Sequence, residues 1–180
     1  MWPWGHAAVG YLLYSLGLRR RGRLPDSPEV FLLAFGTLVP DLVDKPLAWE
    51  LGVLDSGRTV GHSLLVGIVV VLVLYAVVAP RIGRSRVTAF AVGYLLHPFA
   101  DLPYADVLSG DLSTSAYFVW PVRRMPPDEF EGTILQFILS FEPGPFDYVQ
   151  ALLVLLAIWL WFEDGRPGWE SLTRPVLRRR

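Results

Sequence analysis

The sequence predicts an all-α integral membrane protein: a helical bundle of about five transmembrane helices plus an interfacial amphipathic helix. Hydrophobic residues make up 53% of the 180-residue chain and charged residues only 18%, against roughly 25% charged in an ordinary soluble domain. The run from Ser63 to Pro80 contains no ionisable group except Tyr75. A helix of that length covers about 27 Å, close to the hydrocarbon thickness of a bilayer.

Five apolar segments form the predicted spans, all within one domain over residues 1–180. They are residues 4–18, 29–43, 63–79, 87–100 and 146–162. Ser27 and Pro28 are typical of a helix start, with Ser27 as the N-cap and Pro28 at the first helical position. Three of the segments are short for a bilayer, so the alternative is a soluble protein with buried helices. The length and apolarity of the third and fifth segments favour the membrane.

The distribution of arginine predicts the orientation in the membrane. With the N-terminus outside, 12 of the 16 cationic residues fall in the inner loops and the C-terminal tail. They are Arg19, Arg20, Arg21, Arg23, Arg81, Arg84, Arg86, Arg166, Arg174, Arg178, Arg179 and Arg180. Because cytoplasmic loops are enriched in Lys and Arg, we expect a cytoplasmic C-terminus in an integral cell-membrane protein.

The segment between the fourth and fifth spans is rich in Asp and Pro and has no spanning stretch. Within it, Phe130, Ile134, Phe137, Ile138 and Phe141 recur at the spacing of an amphipathic helix. Such a helix could lie in the outer membrane interface, fold over the helix ends as a lid, or pack on the bundle as an ordinary surface helix.

Charge and composition exclude several functions. The net charge of −1 gives no global field for binding nucleic acid, so the expected partners are membrane lipids. The chain has no cysteine, which excludes disulfides, thiolate metal ligands and cysteine nucleophiles. The N-terminus lacks a basic region before its apolar segment, so we expect no cleaved signal peptide.

The three histidines of the chain all fall at the predicted outer side of the membrane. His6 lies at the outer end of the first span, His62 at the start of the third, and His97 one turn before the end of the fourth. Ionisable groups at such positions are costly and usually functional.

Three carboxylates accompany the histidines at the same depth. Asp41 and Asp44 close the second span and share one helical face, three residues apart. Asp101 follows His97 by four residues, so the two side chains project from one face and can chelate one ion. A cation would remove the repulsion between these groups. The alternatives are a proton relay, or a cluster satisfied by Arg58 and water.

The donor types indicate which ion the site would take. Imidazole and carboxylate ligands without thiolate suit Zn²⁺, Mn²⁺ or Fe²⁺, with Zn²⁺ the default for hydrolysis. The number of candidate ligands allows one or two ions. A two-metal centre, bridged by Asp101 or by an Asp of the 41/44 pair, would suit a phosphoester displacement.

Motifs in residues 5–121 resemble a known family. In chain order they are GHAAVGYLL, GTLVPDLVDKP, RTVGHSLL, GYLLHPFADL and the Trp120-Pro121 pair. Together they resemble the membrane-bound metal-dependent hydrolases, also described as LexA-binding, inner membrane-associated hydrolases. That family is in turn similar to zinc-dependent phospholipase C. The chain lacks the later His and the His-x-x-x-Glu element of that enzyme, which argues against a three-metal centre.

The resemblance implies a role for each matched residue. The metal ligands would be His6, Asp41, Asp44, His62, His97 and Asp101. Arg58 and Ser63 would support the ligands or contact the substrate. If Asp44 or Asp41 is not a ligand, it would be the catalytic base.

The sequence therefore favours a membrane-embedded metal-dependent hydrolase. Its substrate would be a phospholipid or another phosphoester at the extracytoplasmic membrane face. Two alternatives stay open: an ion- or proton-coupled transporter, and a non-catalytic membrane scaffold whose polar cluster only locks the helices together.

Overall fold

The computed structural model of the chain describes residues 1–128, 130 and 132–173. Over these ranges the regular structure is helical and contains no strand, which confirms the all-α prediction. The α-helices are α1 (Pro3–Arg19), α2 (Ser27–Lys45), α3 (Leu64–Val77), α4 (Ala79–Ile82), α5 (Arg84–Ala100), α6 (Tyr104–Ser109), α7 (Ile134–Leu139), α8 (Pro145–Glu163) and α9 (Trp169–Thr173). A π-helical turn at Pro46–Glu50 continues α2, and a 3-10 turn lies at Ala116–Val119.

The five predicted apolar segments correspond to α1, α2, α3, α5 and α8, with ends that differ by at most three residues. The N-cap of α2 was predicted one residue too late. Asp26, not Ser27, is the cap: its carboxylate accepts from Glu29 N at 2.8 Å, and the Glu29 carboxylate accepts from Asp26 N at 3.0 Å. This reciprocal capping box satisfies two donors that a Ser27 cap would leave free.

The helix lengths do not support a bundle of five spans. Among the described residues, α8 alone is long and apolar enough to cross a membrane by length and composition, and one such helix is weak support. α3 is apolar but has only 14 residues. α2 has 19 residues, but its charged side chains, Glu29, Asp41, Asp44 and Lys45, lower its hydropathy. Four arginines used for the predicted orientation, at 174 and 178–180, lie outside the described residues.

The amphipathic helix predicted around residues 130–141 is shorter in the structure. It forms only α7, whose Thr133 N-cap accepts from Gln136 N. α7 packs on the π-helical turn after α2, where Ile134 N donates to the Glu50 carboxylate at 2.8 Å. The helix therefore packs against one end of the bundle.

The parallel helices α2 and α5 form the centre of the fold and touch through two glycines. A Cβ on Gly36 would overlap the carbonyl of Phe90, and a Cβ on Gly93 would overlap the carbonyl of Leu33. Only residues without a side chain allow two helix backbones to approach so closely. Because the helices run in the same direction, the residues that follow the crossing on each helix reach the same end of the bundle.

A buried carboxylate, Asp164, anchors the C-terminal half of α1. Asp164, just after α8, accepts from Tyr11 Oη at 2.7 Å, from Ser15 Oγ at 2.5 Å and from Arg19 Nε at 2.8 Å. A buried charge is tolerated only when it is paired and hydrogen-bonded, and Asp164 meets both conditions. It ties the C-terminal half of α1 to the end of α8, so the N-terminal half of α1 lies at the other end of the bundle.

The glycine contact gives a testable prediction. Gly93→Ala should lower the free energy of unfolding by about 1–3 kcal/mol, because the added methyl group overpacks the α2–α5 contact. Gly17→Ala is the matched control: it adds the same methyl group to α1, where nothing lies within 4 Å. Equilibrium unfolding in detergent measures both. Equal stability of the two variants would contradict the close crossing.

Candidate metal centre

The structure brings the six predicted ligand side chains together at one end of the bundle. His6 comes from α1, Asp41 and Asp44 from α2, His62 from the loop before α3, His97 from α5, and Asp101 from the residue after α5. All six are buried, and four of them are no more than 2% exposed. Burial of so many ionisable groups is costly unless charge and hydrogen bonds compensate.

Four of these side chains direct ligand atoms to one point. An oxygen of Asp41, one nitrogen each of His62 and His97, and an oxygen of Asp101 all lie within 4.8 Å of one another. The Nε2 atoms of the two imidazoles are 3.0 Å apart. Asp41 Oδ1 lies 3.6 Å from each of them. Asp101 Oδ2 lies 3.6 Å from His62 Nε2 and 3.7 Å from His97 Nε2.

Hydrogen bonds behind the two imidazoles fix where their protons lie. His62 Nδ1 is 2.8 Å from Asp44 Oδ2, and His97 Nδ1 is 2.6 Å from the carbonyl oxygen of Thr37. An ionised carboxylate and a carbonyl only accept, so both Nδ1 atoms donate. A neutral imidazole carries one proton, which leaves each Nε2 with a lone pair. When both imidazoles are neutral, two lone pairs therefore face each other beside two carboxylates, and a proton or a metal ion between them supplies the positive charge that this arrangement requires.

The donor atoms fit a divalent metal ion. Four ligands bound at about 2.0–2.1 Å around one ion lie about 3.3–3.4 Å apart in a tetrahedron. The separations between the imidazole nitrogens and the carboxylate oxygens, 3.6–3.7 Å, are close to that spacing. Both oxygens of Asp41 are buried without a well-formed hydrogen bond from the described residues, although Lys45 Nζ lies 2.7 Å from Oδ2. This group could therefore hold an ion.

The pKa shifts of the two site residues outside the helices show the same demand for positive charge. Burial lowers the pKa of His62, but the neighbouring carboxylates of Asp101 and Asp44 outweigh burial and raise that pKa. Burial raises the pKa of Asp101, whereas the adjacent imidazoles of His6 and His62 and the N-terminal amino group hold it well below its usual range. Asp101 is thus ionised, and a positive charge beside it is stabilised.

Asp44, predicted as a ligand or a base, lies behind His62 instead of among the four converging atoms. Its Oδ2 accepts from Thr59 N at 2.7 Å and from His62 N at 3.2 Å, in addition to His62 Nδ1. Its Oδ1 accepts from Gly61 N at 2.8 Å. Asp44 therefore shapes the loop before α3 and orients the imidazole, as carboxylates behind metal-binding histidines commonly do.

His6 also falls outside the group of four, on the far side of Asp101. Its Nε2 lies 3.1 Å from Asp101 Oδ1, to which the Met1 amino group is also close. Its ring stacks on His97, with centroids 3.8 Å apart and planes 13° apart. Asp101 thus presents Oδ1 to His6 and Oδ2 to the other two histidines.

The two residues predicted to assist the ligands have different positions. Arg58 Nε lies 3.6 Å from Asp101 Oδ2, so this cation reaches the site. Ser63 is the N-cap of α3: its Oγ accepts from Val66 N at 3.3 Å and donates to the Trp120 carbonyl at 2.6 Å. Ser63 therefore ties the Trp120-Pro121 segment to the start of α3.

Sequence reasoning did not assign three groups that shape the site. The Thr37 carbonyl is a backbone group and leaves no trace in the sequence. Lys45 falls on the predicted outer side of the membrane, and its spacing of four from Asp41 on a helix could have indicated the pair. Asp128 holds the loop before Arg58 from 70 residues away, accepting from Ser56 Oγ and Gly57 N at 2.7 Å each. No local pattern marks such a contact.

Together these features define the class: a helical protein with a buried histidine–aspartate site suited to a metal ion. The chain belongs to the YdjM inner membrane protein family, which it matches over residues 1–164. Membership supports a location in the membrane. No curated protein and no solved structure matches the chain.

Metal binding is the first prediction for this site. Zn²⁺ at 100 times its Kd should raise the free energy of unfolding by about 2.7 kcal/mol, and EDTA should reverse the gain. His97→Ala should abolish the gain and the metal content found by elemental analysis. Asp111→Asn, which alters an exposed carboxylate away from the site, is the control. Metal content unchanged in His97→Ala would contradict the assignment.

The role of Asp44 gives a second prediction. Asp44→Asn should weaken metal affinity by about 10–100-fold without abolishing binding, the usual effect of losing a group that orients a ligand. Asp41→Asn, which alters a converging oxygen, should cost more. Isothermal titration with Zn²⁺ compares them. A larger loss in Asp44→Asn than in Asp41→Asn would reverse the two roles.

Proposed function

We propose that the protein is a membrane-embedded metal-dependent hydrolase that acts on a phosphoester, phospholipids included. One observation carries the proposal: the Nε2 atoms of His62 and His97 face each other at 3.0 Å with their other nitrogens already engaged. A structural polar cluster would pair donors with acceptors. With both imidazoles neutral, this one places acceptors against acceptors, which is the arrangement of a site that takes up a cation.

Each residue of the centre has a role in this proposal. Asp41, His62, His97 and Asp101 would hold the ion, which lowers the pKa of a water and polarises a phosphoryl oxygen. Asp44 and the Thr37 carbonyl orient the two imidazoles. Because four donors already use the Asp44 oxygens, we assign it to orientation and not to proton transfer.

The positions of the two carboxylate oxygens of Asp101 support the second ion that the sequence analysis allowed. Its Oδ2 belongs to the group of four, whereas its Oδ1 faces His6 at 3.1 Å. Neither ring nitrogen of His6 has a well-formed hydrogen bond among the described residues. In a centre with two ions, Asp101 would bridge them and His6 would be a ligand of the second. Paired ions stabilise the attacking and leaving oxygens of a phosphoester displacement.

The placement at a membrane face rests on the surface of α3 and α8. Large apolar side chains are exposed on both helices, among them Leu72 at 63% and Leu155 at 64%. Contiguous exposed apolar surface marks contact with lipid or a partner, and the family is one of inner membrane proteins. The metal centre lies at the end of the bundle opposite Arg19 and Arg23. By the arginine bias we propose that this end is extracytoplasmic.

Hydrolysis is tested with a panel of phosphomonoesters, phosphodiesters and vesicle phospholipids. Purified wild-type protein with Zn²⁺ or Mn²⁺ should hydrolyse at least one class, and His62→Ala should lower kcat/KM by at least 100-fold while the protein stays in the membrane fraction. Ser63→Ala should retain most of the activity, because Ser63 caps α3. Full activity in His62→Ala, or none in the metal-loaded wild type, would refute the proposal.

A further inference from the structure

A cavity of about 360 Å³ adjoins the metal centre and reaches it at Asp101. This volume is within the range of small-molecule sites. Three cationic groups line it beside Asp101, namely Lys45, Arg58 and the Met1 amino group, and the rings of Trp49 and Phe137 form another part of its wall. The cavity thus joins a charged end at the metal centre to an aromatic surface.

Lys45 is held in a fixed position at the charged end. Its Nζ is 2.7 Å from Asp41 Oδ2 and lies 5.6 Å from the ring centroids of both Trp49 and Phe137. Its side chain is only 20% exposed. An ammonium group over two aromatic faces is attracted by the ring quadrupoles, which helps to hold Lys45 beside the metal centre.

Arg58 lies beside the other carboxylate of the metal centre, that of Asp101. Its Nε is 3.6 Å from Asp101 Oδ2. The loop that carries it is anchored by Asp128, which accepts from Ser56 Oγ and from Gly57 N. The loop that carries Arg58 is therefore held by contacts that do not involve Asp101.

These two cations balance the carboxylates that would hold an ion. Without a metal, Lys45 offsets Asp41, and Arg58 together with the Met1 amino group offsets Asp101. A divalent ion would offset the same two carboxylates, and the ammonium and guanidinium groups would then lack a counter-charge. In a partly buried site, unbalanced positive charge attracts an anion.

The other two carboxylates of the cavity do not change this balance. Asp128 already accepts three hydrogen bonds, including one from Trp49 Nε1 at 2.8 Å. Asp147 accepts from Gly144 N at 2.8 Å and from Gln150 Nε2 at 2.9 Å. Both are engaged by donors of the fold, whereas Lys45 and Arg58 form ion pairs with Asp41 and Asp101, the carboxylates that a metal would bind.

We infer that Lys45 and Arg58 form a clamp for a phosphate group. Binding of the metal frees both cations from their carboxylates and so allows the clamp to bind phosphate. The substrate is a phosphoester with an apolar organic part. This inference rests on the proposed function and names its substrate class. Arg presents a planar fork that matches phosphate oxygens, and Lys a point charge. The aromatic wall accounts for the apolar part: Trp49 packs on Phe137 at 5.1 Å, and Trp2 stacks on Phe137 at 5.3 Å.

The binding of inorganic phosphate tests the clamp without any turnover. Isothermal titration of the full chain in detergent should show phosphate binding to the Zn²⁺-loaded protein and at least tenfold weaker binding after EDTA. Linkage requires that phosphate tighten Zn²⁺ binding by the same factor. Equal phosphate affinity with and without metal would overturn the inference.

The variant Lys45→Met tests whether Lys45 binds phosphate or only stabilises the structure. It should weaken phosphate binding to the Zn²⁺-loaded protein at least tenfold and leave Zn²⁺ affinity equal or tighter, because a positive charge beside Asp41 is removed. Arg124→Met, which removes an exposed cation outside this cavity, is the matched control. Lys45→Arg should retain phosphate binding. Unchanged phosphate affinity in Lys45→Met would overturn the clamp while leaving the metal centre intact.

A short-chain phosphatidic acid below its micellar concentration tests the apolar part. It should bind more tightly than inorganic phosphate, and Phe137→Ala should remove that advantage without changing the affinity for inorganic phosphate. Equal affinity for the two ligands would overturn the lipid-like substrate and favour a small soluble phosphate compound. A wild type that binds no metal would instead refute the proposed function, together with the metal dependence of the clamp.

Discussion

The hydrogen bonds that engage the Nδ1 atoms of His62 and His97 are the constraint on which the site depends. Asp44 and the Thr37 carbonyl accept from these atoms, so the two Nε2 atoms meet at the centre of a group that also contains Asp41 and Asp101. Burial makes this arrangement unfavourable without a cation. Asp44 also holds the loop before α3 through its backbone N–H groups, and the buried carboxylates and imidazoles of the cluster raise the pKa of His62 and lower that of Asp101.

The central helices deliver these groups because their backbones touch. Gly36 and Gly93 remove the side chains that would separate α2 from α5, and the parallel course of the helices places Thr37 and Asp41 level with His97. The hydrogen bond from His97 Nδ1 to the Thr37 carbonyl is possible only at this short distance. The helix packing therefore determines the site geometry, because a larger distance between α2 and α5 would move the candidate ligands apart.

Much of the fold could be predicted because apolar runs and helix periodicity are local properties. Five helices were placed to within three residues, and the spacing of His97 and Asp101 predicted that they act together. Spanning length was less well predicted: α2 matches its predicted segment, yet the charged residues near its ends lower its hydropathy. α7 proved shorter than its apolar stripe because the Thr133 cap starts the helix after Phe130.

The sequence by itself determined which residue types could bind a cation and that they fall near the ends of helices. Only the tertiary structure showed that His62 belongs to the converging group and that Asp44 orients it. Carboxylates can serve in either role, and both residues lie near the ends of helices, so the sequence did not distinguish the two roles. The tertiary structure also assigned Lys45 and Arg58 to one cavity, through a loop held by Asp128. Such assignments depend on contacts between residues far apart in the chain, and a local pattern carries no information about them.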